Sequence, residues 1–289
     1  MRVIDLADAE PRPRRIAVGE FDGVHLGHRE VIAGSDTVLT FEPHPLVVVR
    51  PEAAPKLLTS LEVKAELIGQ LGVEELVVIR FDQGFAQQSP QEFVDRVLVE
   101  RLGATHVSVG ENFRFGHRAA GDAAMLVAEQ RFETRVVPLV EADGEVVSSS
   151  RIRALVAGGD VEWAGRLLGS PFRMRGEVVH GDHRGRQLGF PTANLVPDQA
   201  LACPGHGVYA CRVDGHSAAV NVGVRPTFQT GRGVLVEAYL LDFEGDLYGQ
   251  QMTVEFQARL RGERRFATPE ALVDQMRADV EQTRELVGS

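Results

Sequence analysis

Residues 15–28 read RIAVGEFDGVHLGH, and this stretch decides the fold of the first half of the 289-residue chain. Arg15–Phe21 is a short apolar run of strand character, Gly23 permits a tight turn, and a helical pattern begins just beyond it. The alternation then continues. Val38–Phe41, Leu76–Phe81, Thr105–Val109 and Arg135–Leu139 read as strands, and Leu61–Leu71, Pro90–Leu102 and Asp122–Gln130 as helices. This spacing predicts an α/β domain with a parallel sheet, whose ligands sit at the carboxyl ends of the strands.

His25 and His28, three apart at the start of the first helix, can turn both imidazoles toward one ligand. The free N–H groups and dipole of a helix start favour an anion such as phosphate, and the pair would stabilise charge developing on an α-phosphate during in-line attack. The competing reading is a histidine-bearing turn with metal-like spacing by chance. The strand before it and the glycines at 19, 23 and 27 weigh against that. Ser148, Ser149 and Ser150 precede Arg151-Ile152-Arg153 and open a helix that ends at Gly158-Gly159. The serines are either caps or part of a site, and Arg153 would add a bidentate grip on an ATP tail.

Gly169-Ser170-Pro171 marks the expected boundary between a domain of residues 1–169 and one of 170–289. Beyond it, Arg173–His180, Gly207–Val213, Ala218–Val222, Val234–Phe243 and Gln251–Phe256 read as strands joined by Gly- and Asp-rich turns. Such a run without helices predicts an antiparallel barrel or sandwich. One helix closes the chain, with Thr268 as N-cap, Pro269 at its first position, and Leu272, Met276, Val280 and Val287 on one stripe.

Residues 180–194 read HGDHRGRQLGFPTAN. Gly181, Gly185 and Gly189 let backbone amides approach phosphates, while Thr192 and Asn194 alternate onto one strand face as hard oxygen ligands suited to Mg²⁺. The alternative is a glycine-rich hairpin whose Thr and Asn satisfy a turn. His180, Asp182 and His183 suggest zinc, but no third imidazole or thiolate has convincing spacing. In Val234–Phe243 the one charge in the middle is Glu237, flanked on its face by Leu235, Tyr239, Leu241 and Phe243. A carboxylate on an apolar face is costly unless used or paired, and burial would raise its pKa toward that of a general base. An edge glutamate reaching solvent is the plainer alternative.

Composition excludes several classes. A net charge of −10 argues against broad nucleic-acid or anionic-membrane binding. No apolar run is long enough to span a bilayer, and residues 1–15 lack the apolar core of a signal peptide. Two cysteines, Cys203 and Cys211, need no disulfide framework, so the expected compartment is the reducing cytoplasm. Lys56 and Lys64 are the only lysines, and neither sits in a P-loop or protein-kinase setting. Any ATP chemistry therefore belongs to another class.

The 19–28 motif, TFEPHP (40–45), GENFRFG (110–116) and Ser148–Arg153 together resemble the adenylyltransferase half of bacterial bifunctional riboflavin kinase/FAD synthetases, which belong to the H-x-G-H nucleotidyltransferases. GFPTAN (189–194), NVGVRPTF (221–228), VEAYLLDFEGDLYG (236–249) and RLRGERRF (259–266) resemble the riboflavin-kinase module of the same family, a small antiparallel β-barrel. The resemblance implies a Rossmann-like nucleotidyltransferase domain followed by a kinase barrel with a terminal helix. The implied chemistry is phosphorylation of riboflavin to FMN and adenylylation of FMN to FAD, with ATP as co-substrate and Mg²⁺. It places ATP beside Gly19, Phe21, His25, His28, Ser149, Ser150 and Arg153 in the first domain, and beside Gly181, Gly185 and Thr192 in the second. It sets flavin beside Phe41, His44, Asn112 and Arg225. Thr192 and Asn194 become the metal ligands, and Glu237 takes the proton of the ribityl terminal hydroxyl. For Asn112 a plain turn-forming role, and for Arg225 a loop ion pair, are the alternatives. One departure stands out. Only eleven residues separate His28 from Thr40, a shorter span than the family has, so the first helix is cut to about two turns at ~1.5 Å per residue. Glu20 also brings a carboxyl group close to the expected phosphate site. Two other readings stay open at this level: a monofunctional riboflavin kinase with a degenerate first domain, and a flavin-binding regulator without turnover.

Overall fold

The structure, a computed structural model, describes residues 1–179, 192–224, 234–243, 245 and 247–288. The chain divides into two compact units, Met1–Ser149 and Ser150–Ser289. That division falls within the serine-rich helix start, ahead of the Gly-Ser-Pro expected to mark it.

In the first unit, β1 (Arg2–Asp5), β2 (Arg14–Val18), β3 (Thr37–Glu42), β4 (Glu75–Arg80), β5 (Ala104–Gly110) and β6 (Glu133–Val137) form one parallel sheet in the order β1-β4-β3-β2-β5-β6. Both faces are covered, as a parallel sheet requires. Ile16 and Val18 of β2 enter one apolar core and Ala17 enters the other. The helices are α1 (Leu26–Ile32), α2 (Pro45–Val49), α3 (Leu61–Gly69), α4 (an α-turn Pro90–Glu92 continuing as a π-helix Phe93–Arg101) and α5 (Ala123–Ala128). Strand order reverses at β2, which leads to β3 on one side and is joined by β5 on the other. The crevice of such a sheet lies outside the carboxyl ends of those strands.

The amino ends of β2 and β4 are held together by charge. Arg14 and Glu75, each 1% exposed, pair at 2.9 Å, while Arg14 also donates to the Leu102 carbonyl at 2.8 Å. Arg2 donates to Glu75 as well. Burial would raise the Glu75 pKa, but the hydrogen bonds from Arg2 and Arg14 outweigh it and hold the carboxyl below its ordinary range.

Helix α6 (Ser149–Gly158) spans the division between units and is followed by α7 (Val161–Leu168). Asp160 caps α7 at its start and Gly169, at φ 73°, ends it. Val161, Ala164, Leu167 and Leu168 are its buried face, and it lies against the barrel. That barrel is closed and antiparallel, built from β7 (Phe172–Val179), β8 (Ala193–Pro197), β9 (Gly207–Val213), β10 (His216–Val224), β11 (Val234–Leu240) and β12 (Gln251–Arg261) in the order β7-β8-β11-β10-β9-β12. Tyr209, Cys211, Val220, Val236, Ala238, Val254 and Phe256 fill its interior.

The final helix, α8 (Pro269–Val287), has Thr268 as N-cap and Pro269 in its first turn, as expected. Its packing face differs from the apolar stripe. Leu272, Met276 and Val280 are only partly covered, whereas Asp279 and Thr283 are buried with Val287. Arg261 of β12 is the reason: its guanidinium reaches Asp279 Oδ2 at 2.7 Å, so the helix docks through an ion pair as well as through apolar contact.

Candidate active sites

The stretch after β2 forms an unusual turn. Phe21 (φ 50°) and Val24 (φ 45°) adopt left-handed backbone angles without being glycine, on either side of Gly23 at φ 87°. Such residues cost ~1–3 kcal/mol each and persist only where the surroundings over-determine them. Here Asp22 Oδ1 accepts from the backbone N–H of Leu58 at 2.8 Å and of Thr59 at 3.2 Å, and Gly23 N–H donates to Thr59 Oγ1 at 3.2 Å. Thr40 Oγ1 donates to the Glu20 carbonyl at 3.1 Å, and Ser149 Oγ to the Asp22 carbonyl at 3.0 Å.

This turn delivers the two histidines. His25 is the N-cap of α1, its Nδ1 accepting from His28 N–H at 3.2 Å. With Nδ1 an acceptor, the neutral ring carries its proton on Nε2. The rings of His25 and His28 stack at 3.5 Å with 17° between planes, so the pair converges although His25 stands outside the helix proper. An added Cβ at residue 27 would stand 3.3 Å from the His25 ring, which explains the glycine between them. Helix α1 has seven residues, the two turns that the short spacing implies.

Phe21 is buried among apolar neighbours and meets His28 edge-on at 5.4 Å, so its backbone rather than its ring is available to a nucleotide. Gly19 follows β2 directly and bonds through its N–H to the Leu39 carbonyl at 3.1 Å. Ser149 is tied to the turn as described. Ser150 and Arg153 lie on α6 one turn apart, with Arg153 Nη1 3.5 Å from Ser150 Oγ.

The charge near the turn differs from the plain sequence reading. Desolvation pushes the pKa of Glu20 up to about 8, against the lowering influence of Lys64 and with Asp22 and Glu42 adding to the rise. Burial thus favours the protonated form of Glu20 at neutral pH and weakens the negative charge it places beside the turn. Glu42 is also raised by burial.

Of the residues expected beside the flavin, Phe41 is buried at the end of β3, His44 caps α2 by accepting from Leu46 N–H at 3.1 Å, and Asn112 is exposed in the turn after β5. Sequence reasoning missed what Phe41 belongs to. Phe41, Phe81, Phe85, Phe93, Phe115 and Phe113 form a chain of ring contacts 5.4–6.3 Å apart along the carboxyl side of the sheet. The outer members, Phe81, Phe85 and Phe113, are only partly buried. Their common placement just after strands was the available signal. Asp22, Thr59 and Lys64 were missed too, because their partners are remote in sequence.

In the second unit, backbone pairing sets Asn194 of β8 opposite Glu237 of β11, and Glu237 opposite Asn221 of β10. Side chains directly opposite share a face, so three polar groups form a row across three strands. Asn194 is 6% exposed, and Asn221 Nδ2 donates to Glu237 Oε2 at 3.3 Å. Thr192 is half-buried immediately before β8. The expectation that an apolar face encloses Glu237 needs correction. Val236, Ala238 and Leu240 are the buried side of β11, while Glu237 shares the half-buried side with Leu235 and Tyr239. Its neighbours are amides on adjacent strands rather than an apolar wall. The strand also stops at Leu240, because Asp242 turns at φ 54°. Gly181, Gly185 and Arg225 lie outside the described residues.

Comparison with known proteins follows the same division. A family model for FAD synthetase matches residues 7–151, and one for riboflavin kinase matches residues 168–287. The chain is 39% identical to the bifunctional riboflavin kinase/FMN adenylyltransferase of Listeria monocytogenes, over 93% of this chain and 91% of that one. It is 41% identical to the protein of that description from Pseudomonas fluorescens, with 93% and 91% covered, and 36% identical to that of Escherichia coli K12, with 94% and 92% covered. A solved chain described as a macrolide-efflux protein from Streptococcus pneumoniae superposes with a TM-score of 0.88 at 32% identity, over 98% of this chain and 99% of that one. Among the described residues here, no helix is long and apolar enough to cross a membrane.

Proposed function

The chain belongs to the bifunctional riboflavin kinase/FMN adenylyltransferase family, and on that footing we propose how its two units divide the work. The protein converts riboflavin and ATP to FMN and ADP, then FMN and ATP to FAD and pyrophosphate. The observation that carries this assignment is the match of two family models, in order, to a parallel-sheet unit and a closed barrel that each present a polar constellation. Neither a kinase with a degenerate first domain nor a regulator without turnover is favoured, since each unit has its own family match.

The adenylylation site lies at the turn after β2, within an adenylyltransferase region we draw as residues 1–169. His25 presents Nε2–H, and with His28 stabilises negative charge as a phosphate oxygen of FMN attacks the α-phosphorus of ATP and pyrophosphate leaves. Ser149, Ser150 and Arg153 hold the nucleotide tail, with Gly19 and the Phe21 backbone lining the turn. The flavin lies against the aromatic chain near Phe41, His44 and Asn112, an assignment supported by the exposed edges of Phe81, Phe85 and Phe113.

The kinase site lies on the Asn194–Glu237–Asn221 row of residues 170–289. Glu237 accepts the proton of the terminal ribityl hydroxyl as its oxygen attacks the γ-phosphorus, and Asn221 orients the carboxylate through its 3.3 Å hydrogen bond. Thr192 and Asn194, two hard oxygen donors near that carboxylate, fit Mg²⁺, and a bound Mg²⁺ would neutralise charge on the nucleotide phosphates. Gly181, Gly185 and Arg225 complete the ATP and flavin contacts in this reading. The two unpaired thiols, Cys203 and Cys211, support a cytoplasmic setting.

Incubation with riboflavin, ATP and Mg²⁺, with the flavins separated over time, tests the whole reading. FMN should appear first and FAD after it. No FAD from supplied FMN at any Mg²⁺ or ATP concentration would remove the first assignment, and no FMN from riboflavin would remove the second.

A further inference from the structure

We propose that Lys64 is a positioning residue for adenylyl transfer, bracing the Gly19–Val24 turn through Thr40 and balancing the carboxyl groups of Glu20 and Glu42 beside it. This rests on the reading of that turn as the adenylylation site. Lysine is among the side chains least often fully buried, and a buried ammonium is costly unless it is paired or used. Yet Lys64, on α3, is 5% exposed, while the chain's other lysine, Lys56, is exposed. Its Nζ donates to Thr40 Oγ1 at 3.4 Å; Thr40 is fully buried, and its own hydroxyl donates to the Glu20 carbonyl at 3.1 Å. Two hydrogen bonds thus connect the ammonium to the backbone of the turn that carries Phe21 and Val24 in left-handed conformations and leads into His25.

The same ammonium acts on the acidic side chains around it. It favours the ionised forms of both Glu20 and Glu42. The groups bearing on Glu20 are Lys64 from α3, Asp22 from its own turn and Glu42 from the end of β3, and Glu62 of α3 bears in turn on Glu42. Without Lys64, a phosphate-bearing substrate at this turn would face carboxyl groups and no buried cation. With it, the acidic cluster is offset and the turn keeps its shape. Ionisation of Glu20 near pH 8 then adds negative charge beside the turn, so adenylylation declines on the alkaline side while the barrel reaction does not share that decline.

The test measures FAD formation from FMN across pH in the full-length protein, with riboflavin phosphorylation by the same samples as reference. In Lys64→Met, the KM for ATP in adenylylation should rise on the order of ten-fold, the ratio that ~1.4 kcal/mol represents. Its alkaline limb should also move to higher pH, because the group lowering the Glu20 pKa is gone. A purely structural loss would scale activity equally at every pH. Glu20→Gln, close in shape to the protonated glutamic acid, should fold regardless and should abolish the alkaline limb. If the wild type makes FAD and His28→Ala does not, but Lys64→Met keeps the wild-type KM and limb, the proposal is overturned. Persistence of the limb in Glu20→Gln overturns it equally. Failure of His28→Ala to affect FAD formation would instead indict the site assignment beneath it.

Discussion

Replacing Asp22 by alanine should disable adenylylation without touching the kinase. Asp22 Oδ1 accepts two backbone N–H groups, from Leu58 at 2.8 Å and Thr59 at 3.2 Å, and Asp22 is 3% exposed. Removing the carboxylate leaves two buried donors unsatisfied at ~1–3 kcal/mol each, or about 2–6 kcal/mol locally. The turn also holds backbone strain at Phe21 and Val24, and releasing it gives the loop a reason to leave its native shape. A loss of about 3 kcal/mol from the competent turn corresponds to roughly a hundred-fold fall in FAD formation at ~1.4 kcal/mol per decade. Riboflavin phosphorylation should stay within about two-fold, because the kinase residues belong to the other compact unit, whereas Asp22 bonds to Leu58 and Thr59 within its own. Asp22→Asn keeps an acceptor at Oδ1, and exchanging a charge-assisted bond for a neutral one costs about 1 kcal/mol, so its effect should be about ten-fold or less. The assay is initial-rate FAD synthesis from FMN beside FMN synthesis from riboflavin. Wild-type FAD formation by Asp22→Ala would refute the clamp. Equal losses in the two variants would show that charge rather than acceptor geometry holds the turn.

In the barrel, Glu237→Gln and Asn194→Ala should each remove most FMN formation, by ~10²–10⁴-fold for loss of the base, while FMN supplied directly is still converted to FAD. Normal phosphorylation by Glu237→Gln would refute the base assignment. At the amino ends of β2 and β4, Arg14→Met removes the buried partner of Glu75 but leaves Arg2 and Arg12 beside it, and should cost about 1.5–3 kcal/mol for the lost charge-assisted bond, read from the denaturant midpoint of the first unit. Because the folded-state pKa of Glu75 is depressed, its stabilisation is present above its unfolded pKa and disappears as pH falls through the folded one. Glu75→Gln should therefore be weaker than wild type at pH 7 and lose less stability on acidification, and parallel pH profiles would contradict this. A fragment of residues 170–289 should melt well below one of 150–289, since only the longer one retains the buried Val161, Ala164, Leu167 and Leu168 face of α7. Equal melting temperatures would show that α7 contributes nothing to the barrel.

Much of the first unit was legible because its signals are local. The central strands are buried on both faces, so they appear as apolar runs, and caps and glycines punctuate the helices between them. β1 escaped notice because its side chains are largely exposed, and its place in the sheet comes from backbone pairing with β4 and the remote Arg2–Glu75 bond. The histidine pair was legible as a motif, but not as a cap with a stacked partner, since that depends on the turn's dihedral angles. Lys64 shows the limit more sharply. Its sequence setting spoke only against two kinds of ATP site and said nothing of a hydroxyl twenty-four residues earlier in the chain.

Glu237 marks a different limit. Alternation along Val234–Leu240 separates two faces, but both carry large apolar residues, so the pattern alone does not say which one the barrel encloses. Small interior residues such as Ala218 and Ala238 decide it, by letting the strands close around Val220, Val236 and Val254. Only the register between strands then brings Asn194, Glu237 and Asn221 to one level. Each of the three is a polar residue set between apolar neighbours when taken singly, which makes it look like a defect. A carboxylate there is costly beside apolar neighbours and far less so between two amides, one of which donates to it. The three positions therefore depend on one another: truncating Asn221 should mimic part of the loss in Glu237→Gln, and the two changes together should cost less than their sum, because both act on the same carboxylate.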